Sequence, residues 1–284
     1  MTGRTDTTSS VPAPPPRRLG LRSLFIDCDV LIRRNVLATL RVPQMLLGII
    51  LQPLMFVLLF SYVLGESLGG DQYRQFLIGG IMAQTVAFNA MFSALGLATD
   101  MEKGVMDRFR ALPMTRLSIL AARSGADILI NVIGLLVMTI AGLVIGWRLD
   151  NSVGPIIAGY LLALLFGYAL SWVGAVVGLI SQSVQATQSL LLTILFPLTF
   201  ISSAFVPSAR LPTPLRAIAN WNPVTSLARS LRESFGNPVQ VYKYIPEPDT
   251  WAAQHCYLYT ALFSIGILVV FVPLGLVALR ARST

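Results

Sequence analysis

Charge is the scarcest feature of this sequence. Asp, Glu, Lys and Arg make up 12% of its 284 residues, against about 25% in an ordinary soluble domain. Apolar residues reach 55%, and the mean hydropathy is +0.70. A water-soluble chain with so few polar groups could not cover its own surface. Composition therefore excludes a soluble enzyme and a disordered chain, and points to a polytopic membrane protein. Lysine is confined to Lys103 and Lys243. Neither stands in a G-x-x-x-x-G-K-[ST] loop, so nothing argues that these residues bind ATP. His255 is the one histidine, and Cys28 and Cys256 lie far apart. No metal cluster and no H-E-x-x-H site can be assembled from them, and a catalytic triad would have a single histidine to draw on.

What is present is a series of long uncharged runs: 42–64, 75–98, 128–147, 153–180, 187–206 and 256–279. Each suits a hydrocarbon core of ~30 Å, and such lengths predict helices rather than the ~10-residue alternating strands of membrane barrels. The expected fold is all-α and integral to the membrane, with six spans. The net charge of +8 comes from 21 Lys and Arg against 13 Asp and Glu. Basic residues gather before residue 42, between 99 and 127, and after 279, while the short loops on the other side hold Arg74 and Arg148. That bias places both termini in the cytosol and explains the basic balance without nucleic acid. One stretch runs against it: 207–255 carries five basic residues on the outer side, although long segments obey the rule poorly. This topology puts Cys28 and Cys256 on opposite sides of the membrane, so no disulfide is expected between them. Residues 1–18, rich in Ser, Thr and Pro with no apolar core, read as a disordered cytosolic tail rather than a signal peptide. A second short tail is expected at 281–284, with the six-span domain at 42–280.

The segments between spans carry more information. Over 19–41, Leu21, Leu24, Phe25, Cys28, Leu31, Ile32 and Val36 share one helical arc, with Arg22, Asp27, Asp29, Arg33 and Arg34 mostly opposite. This predicts an amphipathic helix in the inner interface, broken from the first span near Pro43; a plain extension of that span is the alternative. In the inner loop 99–117, Met101, Val105, Met106, Phe109 and Leu112 fall on one helical face, and Pro113 ends it. Such a face suits either a partner's groove or the chain's own inner helix ends. The polar turn 182–188 reads as a solvated loop. In the outer stretch 207–254, Asn222 followed by Pro223 is a helix start and Gly236 a helix stop. One or two short helices there dip into the outer leaflet or cap the bundle.

The predicted spans hold no deep charge, which argues against a proton-driven carrier and against an intramembrane enzyme. Their polarity is uncharged: Gln52, Gln84, Thr85, Asn89, Ser93, Asn131, Thr139, Ser171, Thr193, Thr199, Ser202 and Ser203. Such groups join neighbouring helices or line a path for an amphipathic molecule. For the path we single out Gln52, Gln84, Thr85, Asn89, Ser93, Thr193, Thr199 and Ser202. Two G-x-x-x-G pairs, Gly142/Gly146 and Gly174/Gly178, permit close helix contact.

Two motifs carry a resemblance. The loop DMEKGVMDRFRALPMTR at 100–116 resembles the E-x-x-x-G…P-x-x-R loop of type-2 ABC exporter permeases. The blocks FPLTFISSAFVP at 196–207, LPTPLR at 211–216 and NPVTSLAR at 222–229 resemble that family's signature around its fifth span, and most of all its daunorubicin-resistance type. Val105 and Met106 stand where the family often has threonine, and Asp107 stands for a frequent glutamate. The resemblance runs from about Leu19 to the end. It implies that 19–41 is the elbow helix, and that 101–112 holds the helix coupled to a separate cytosolic ABC ATPase, with Glu102 and Arg108 as polar contacts. It also implies short re-entrant helices before span six and a second permease chain, identical or related. Spans one, two and five would line the path. ATP and Mg would be bound by the ATPase, with no cofactor on this chain. Export of an amphipathic drug-like compound or lipid from a bacterial plasma membrane is the expected activity. A polysaccharide or glycolipid export permease and an ion-coupled secondary transporter are the alternatives.

Overall fold

The computed structural model describes residues 32–33, 43–63, 65, 70–104, 116–237 and 248–281. Among them all regular structure is helical, as the composition requires. Helix α1 (Pro43–Leu58) opens on a proline, which lacks only a donor that the first turn leaves unpaired anyway. It runs on into a π-helical turn, Leu59–Val63. Then come α2 (Asp71–Glu102), α3 (Arg116–Val144), α4 (Val153–Ile180), α5 (Val184–Phe200), α6 (Thr213–Asn220), α7 (Pro223–Phe235), the single turn α8 (Trp251–Gln254) and α9 (Cys256–Ala281).

Four of these are long and apolar enough to cross a membrane: α2, α3 over Arg123–Val144, α4, and α9 over Cys256–Leu279. Two further apolar helices, Ile50–Val63 and Val184–Phe200, are shorter. The expected first run, 42–64, is α1 with its π turn. The expected fifth run, 187–206, is helical only to Phe200. Pro197 removes a main-chain donor from its last turn, and residues 201–206 continue as turns. Of the elbow segment only Ile32 and Arg33 are described, and both are helical. Ile32 Cδ1 lies 2.8 Å from where a Cβ on Gly125 of α3 would stand. The rest of 19–41, both tails and 105–115 lie outside the described residues.

Helix α2 is the hub. At 1.5 Å per residue its 32 residues span about 48 Å, and it packs against α1, α3, α4, α5 and α7. Small residues on both sides let these helices close in. A Cβ on Gly174 of α4 would stand 2.5 Å from the Ala90 carbonyl oxygen, and one on Gly178 would stand 2.5 Å from that of Ala94. This G-x-x-x-G pair is a helix-crossing site, as its spacing allowed. The other pair is a turn instead: Gly142 lies under the Trp147 ring, and Gly146, at φ +95°, closes α3.

At the Asp71 end of α2 a short helix is clamped across it. The Asn222 side chain accepts from Val224 N at 2.9 Å, and Gly236 ends α7 in the left-handed region. The predicted start and stop are both in place. The inward face of α7 carries Leu227, Leu231 and Phe235, all fully buried. It also carries Arg232, 1% exposed. Arg232 Nε donates to the Phe76 carbonyl at 2.7 Å, and Nη2 donates to those of Ser203 and Ala204 at 2.8 and 3.1 Å. The guanidinium carbon stands 3.5 Å over the Phe76 ring. A buried charge is tolerable only when its donors are satisfied, and here main-chain oxygens supply the acceptors. A polar knot lies beside it: Trp147 Nε1 donates to Asn237 Oδ1 at 2.6 Å, and Asn237 Nδ2 donates to Arg148 O and Gln75 Oε1. It ties the α3–α4 turn to the ends of α2 and α7.

Gly80 tests this arrangement. A Cβ there would stand 1.8 Å from the Ala204 carbonyl oxygen, which is main chain and cannot swing away. Gly80→Ala is expected to cost about 3 kcal/mol and to lower the monodisperse yield in detergent. Gly266→Ala, with nothing within 4 Å of the new atom, is expected to leave the thermal midpoint unchanged or slightly raised.

Candidate functional site

A cleft opens between α1 and α2. Gly48, Gln52, Pro53 and Phe56 form one wall, and Gln84, Thr85, Phe88, Asn89 and Phe92 form the other. Four of the eight residues singled out for a path therefore meet in one place: Gln52, Gln84, Thr85 and Asn89. Their states differ. Thr85 Oγ1 donates back to the Ile81 carbonyl at 2.8 Å, and Asn89 Nδ2 donates to Asn131 Oδ1 on α3 at 3.0 Å. Gln84, 3% exposed, has an Nε2 with no partner. It is a buried unused donor on a residue of the cleft wall. No charged side chain is among the described residues lining it.

The other four lie elsewhere. Ser93 is fully buried one turn beyond Asn89. Thr193 is exposed on α5 and donates to Ser189 O. Thr199 is buried and donates to Leu195 O, while Ser202 donates to Thr199 O. These last three hydroxyls serve their own segment.

The aromatic wall was missed from the sequence, where aromatics are only 9% of residues. The structure concentrates them. Phe88 meets Phe196 edge-on at 5.8 Å, and Phe196 stacks on Phe200 at 5.4 Å. Phe200 meets Phe205 at 5.3 Å, Phe205 stacks on Phe60 at 4.6 Å, and Phe56 contacts Phe60, Phe200 and Phe205. The signal was there: Phe56/Phe60, Phe88/Phe92 and Phe196/Phe200 are all spaced i,i+4, on one helix face each. Arg232 was also missed, because Arg229, Arg232 and Glu233 in one amphipathic helix read as a solvated face.

At the Glu102 end of α2 the chain uses two residues that the resemblance gave to an ATPase contact. Met101 packs beside Leu97, Trp172, Ala175, Leu179 and Leu279. Glu102 Oε1 accepts from Val184 N at 2.8 Å, at the start of α5. Val105, Met106, Arg108, Phe109 and Leu112 lie outside the described residues. Asp127, 2% exposed, lies within the apolar stretch Arg123–Val144 of α3, so that stretch holds a buried carboxyl which the uncharged runs did not include. The pentapeptide Gly65–Gly69 has the spacing G-x-S-x-G. The described residues 59–63 before it and 71–102 after it are helical, whereas a hydrolase nucleophile follows a strand.

The sequence profile described as ABC-2 type transporter matches residues 27–235. The daunorubicin resistance ABC transporter permease protein DrrB1 of Streptomyces coeruleorubidus is 32% identical over 202 residues, covering 70% of this chain and 71% of that one. The doxorubicin resistance ABC transporter permease protein DrrB of Mycobacterium tuberculosis is 31% identical over 132 residues, 46% of each chain.

The amide pair joining α2 to α3 has a measurable strength. A double-mutant cycle with Asn89→Ala and Asn131→Ala, followed by unfolding in mixed micelles, is expected to give a coupling of about 0.6 kcal/mol. Strictly additive singles would show that the bond adds nothing.

Proposed function

The chain belongs to the ABC-2 type transporter family, and on that footing we propose that it is the membrane permease of a drug exporter powered by a separate cytosolic ATPase. The α1–α2 cleft carries this reading. Phenylalanine rings offer a flat apolar body broad contact, and amides fix its polar edge by hydrogen bonds. The relatives are named for resistance to daunorubicin and doxorubicin, which supports a drug-like amphipathic cargo. A lipid has the same split character. The absence of a phosphate-binding loop from these 284 residues supports hydrolysis on another chain.

In this reading the spans number six, with α1 and α5 crossing beside the four longer helices and both termini in the cytosol of a bacterium. Two permease chains pair, and α1, α2 and α5 of each face a central path. Helices α6 and α7 sit in the outer leaflet. The exposure of Leu215, Ile218 and Trp221 on and just after α6 supports lipid contact there. The loop 99–117 docks on the ATPase. ATP drives the cycle only in so far as it binds one permease–ATPase arrangement more tightly than the other.

Purifying the tagged chain from its host tests the reading. A stoichiometric nucleotide-binding chain is expected, with hydrolysis abolished when its phosphate-loop lysine is replaced; a pure complex without an ATPase overturns it. Phe109→Asp is expected to abolish efflux with normal membrane insertion. Gln84→Leu, which removes that buried unused donor at similar volume, is expected to reduce daunorubicin efflux about tenfold while ATP hydrolysis persists, the equivalent of one hydrogen bond.

A further inference from the structure

We propose that Glu102 is the positioning residue that makes α5 follow α2, acting through the first turn of α5 rather than by touching the ATPase. The proposal rests on the permease reading above. Glu102 is the last residue of α2, and its carboxylate accepts the Val184 N–H at 2.8 Å across 82 residues of sequence. The first turn of a helix carries unpaired donors and the positive end of its dipole, so a carboxylate there is favoured twice over. Ser183 Oγ takes a second of those donors, from Ala186 N at 3.1 Å.

Beyond this bond α5 is held by Leu191 and Leu195 packing beside Phe88 and Ala94 of α2, and by Asn222 Nδ2 at the start of α7 donating to the Leu198 carbonyl. It packs on α2 and more lightly on α4, and it leaves Leu190, Ile194, Phe196 and Phe200 exposed. Toward its other end it meets the cleft wall through rings: Phe88 with Phe196 at 5.8 Å and Phe56 with Phe200 at 6.3 Å. Ring contacts are non-directional and slide; the Glu102 bond is directional. A displacement of the Glu102 end of α2 therefore reaches α5 through this bond, and the rings on α5 move with the cleft. Without the bond, α2 tilts and α5 lags behind.

The bond can be cut from either side. Glu102→Ala removes the acceptor, and Glu102→Gln keeps an oxygen in place. Val184→Pro removes the donor and leaves the Glu102 carboxylate in place. Val184 is the first residue of α5, where proline is tolerated. Ser183 before it lies at φ −154°, ψ 161°, in the extended region that a residue before proline prefers. The readout is the labelling rate of Ile194→Cys on α5 in the purified permease–ATPase complex, with and without ATP, corrected for labelling of the chain lacking that substitution.

The expected result is that ATP changes the rate in the parent and in Glu102→Gln, and that the change falls about fivefold or more in Glu102→Ala and in Val184→Pro. The double variant is expected to be no worse than either single, because both remove one bond. Rates without ATP that match the parent show that the variants fold. Parental behaviour of Val184→Pro overturns the proposal, as does a parent complex that hydrolyses ATP with no change at Ile194→Cys. Additive losses in the double variant also overturn it, since Glu102 would then act elsewhere. If no ATPase accompanies the chain, the permease reading itself has failed, which is a different result from a silent Val184→Pro in an active complex.

Discussion

Helices in a nonpolar solvent approach only as closely as their side chains permit, and here the main chain of α2 is bare where its neighbours arrive. The α4 glycines rest on the Ala90 and Ala94 carbonyls, and the 203–205 turn rests on Gly80. Between apolar helices in lipid, dispersion and close hydrogen bonds replace the hydrophobic drive that operates in water. The flat seam along α2 is what lets both act. It also makes α2 a single rod that touches the cleft, the buried arginine and the first turn of α5.

The same scarcity of water sorts the polar groups. A hydroxyl within a helix can return its donor to the carbonyl four residues back, as Thr85, Thr99, Thr193 and Thr199 do. Such groups are quiet: they neither bind a neighbour strongly nor demand one. An amide side chain cannot be satisfied so locally. Asn89 finds Asn131, while Gln84, on a cleft wall, is left with an unused donor. Uncharged spans can therefore hold recognition capacity in a very few residues, among many polar side chains that carry none.

The helices and several of their ends were legible in the sequence, because long apolar runs, the Asn222–Pro223 start and the Gly236 stop each reflect local chemistry. Four of the eight residues singled out meet in one cleft, and three of them are amides, which in apolar runs need partners. Thr193, Thr199 and Ser202 look the same in sequence as Thr85, yet only packing decides which hydroxyl faces a cleft. The bond from Val184 N to Glu102 was not legible, since the two residues lie 82 positions apart. The phenylalanine wall depended on three helices meeting, so a low overall aromatic content misled. Arg232 was invisible because the groups that satisfy it are carbonyls, which every residue has.

That last point reaches past this molecule. Arg232 donates to oxygens at positions 76, 203 and 204 that are present whatever amino acid stands there. A substitution at 203 or 204 therefore needs no compensating change at 232. Across a set of diverged sequences the arginine would stand alone, without a covarying column. Methods that infer contacts from paired substitutions would then be blind to these three hydrogen bonds.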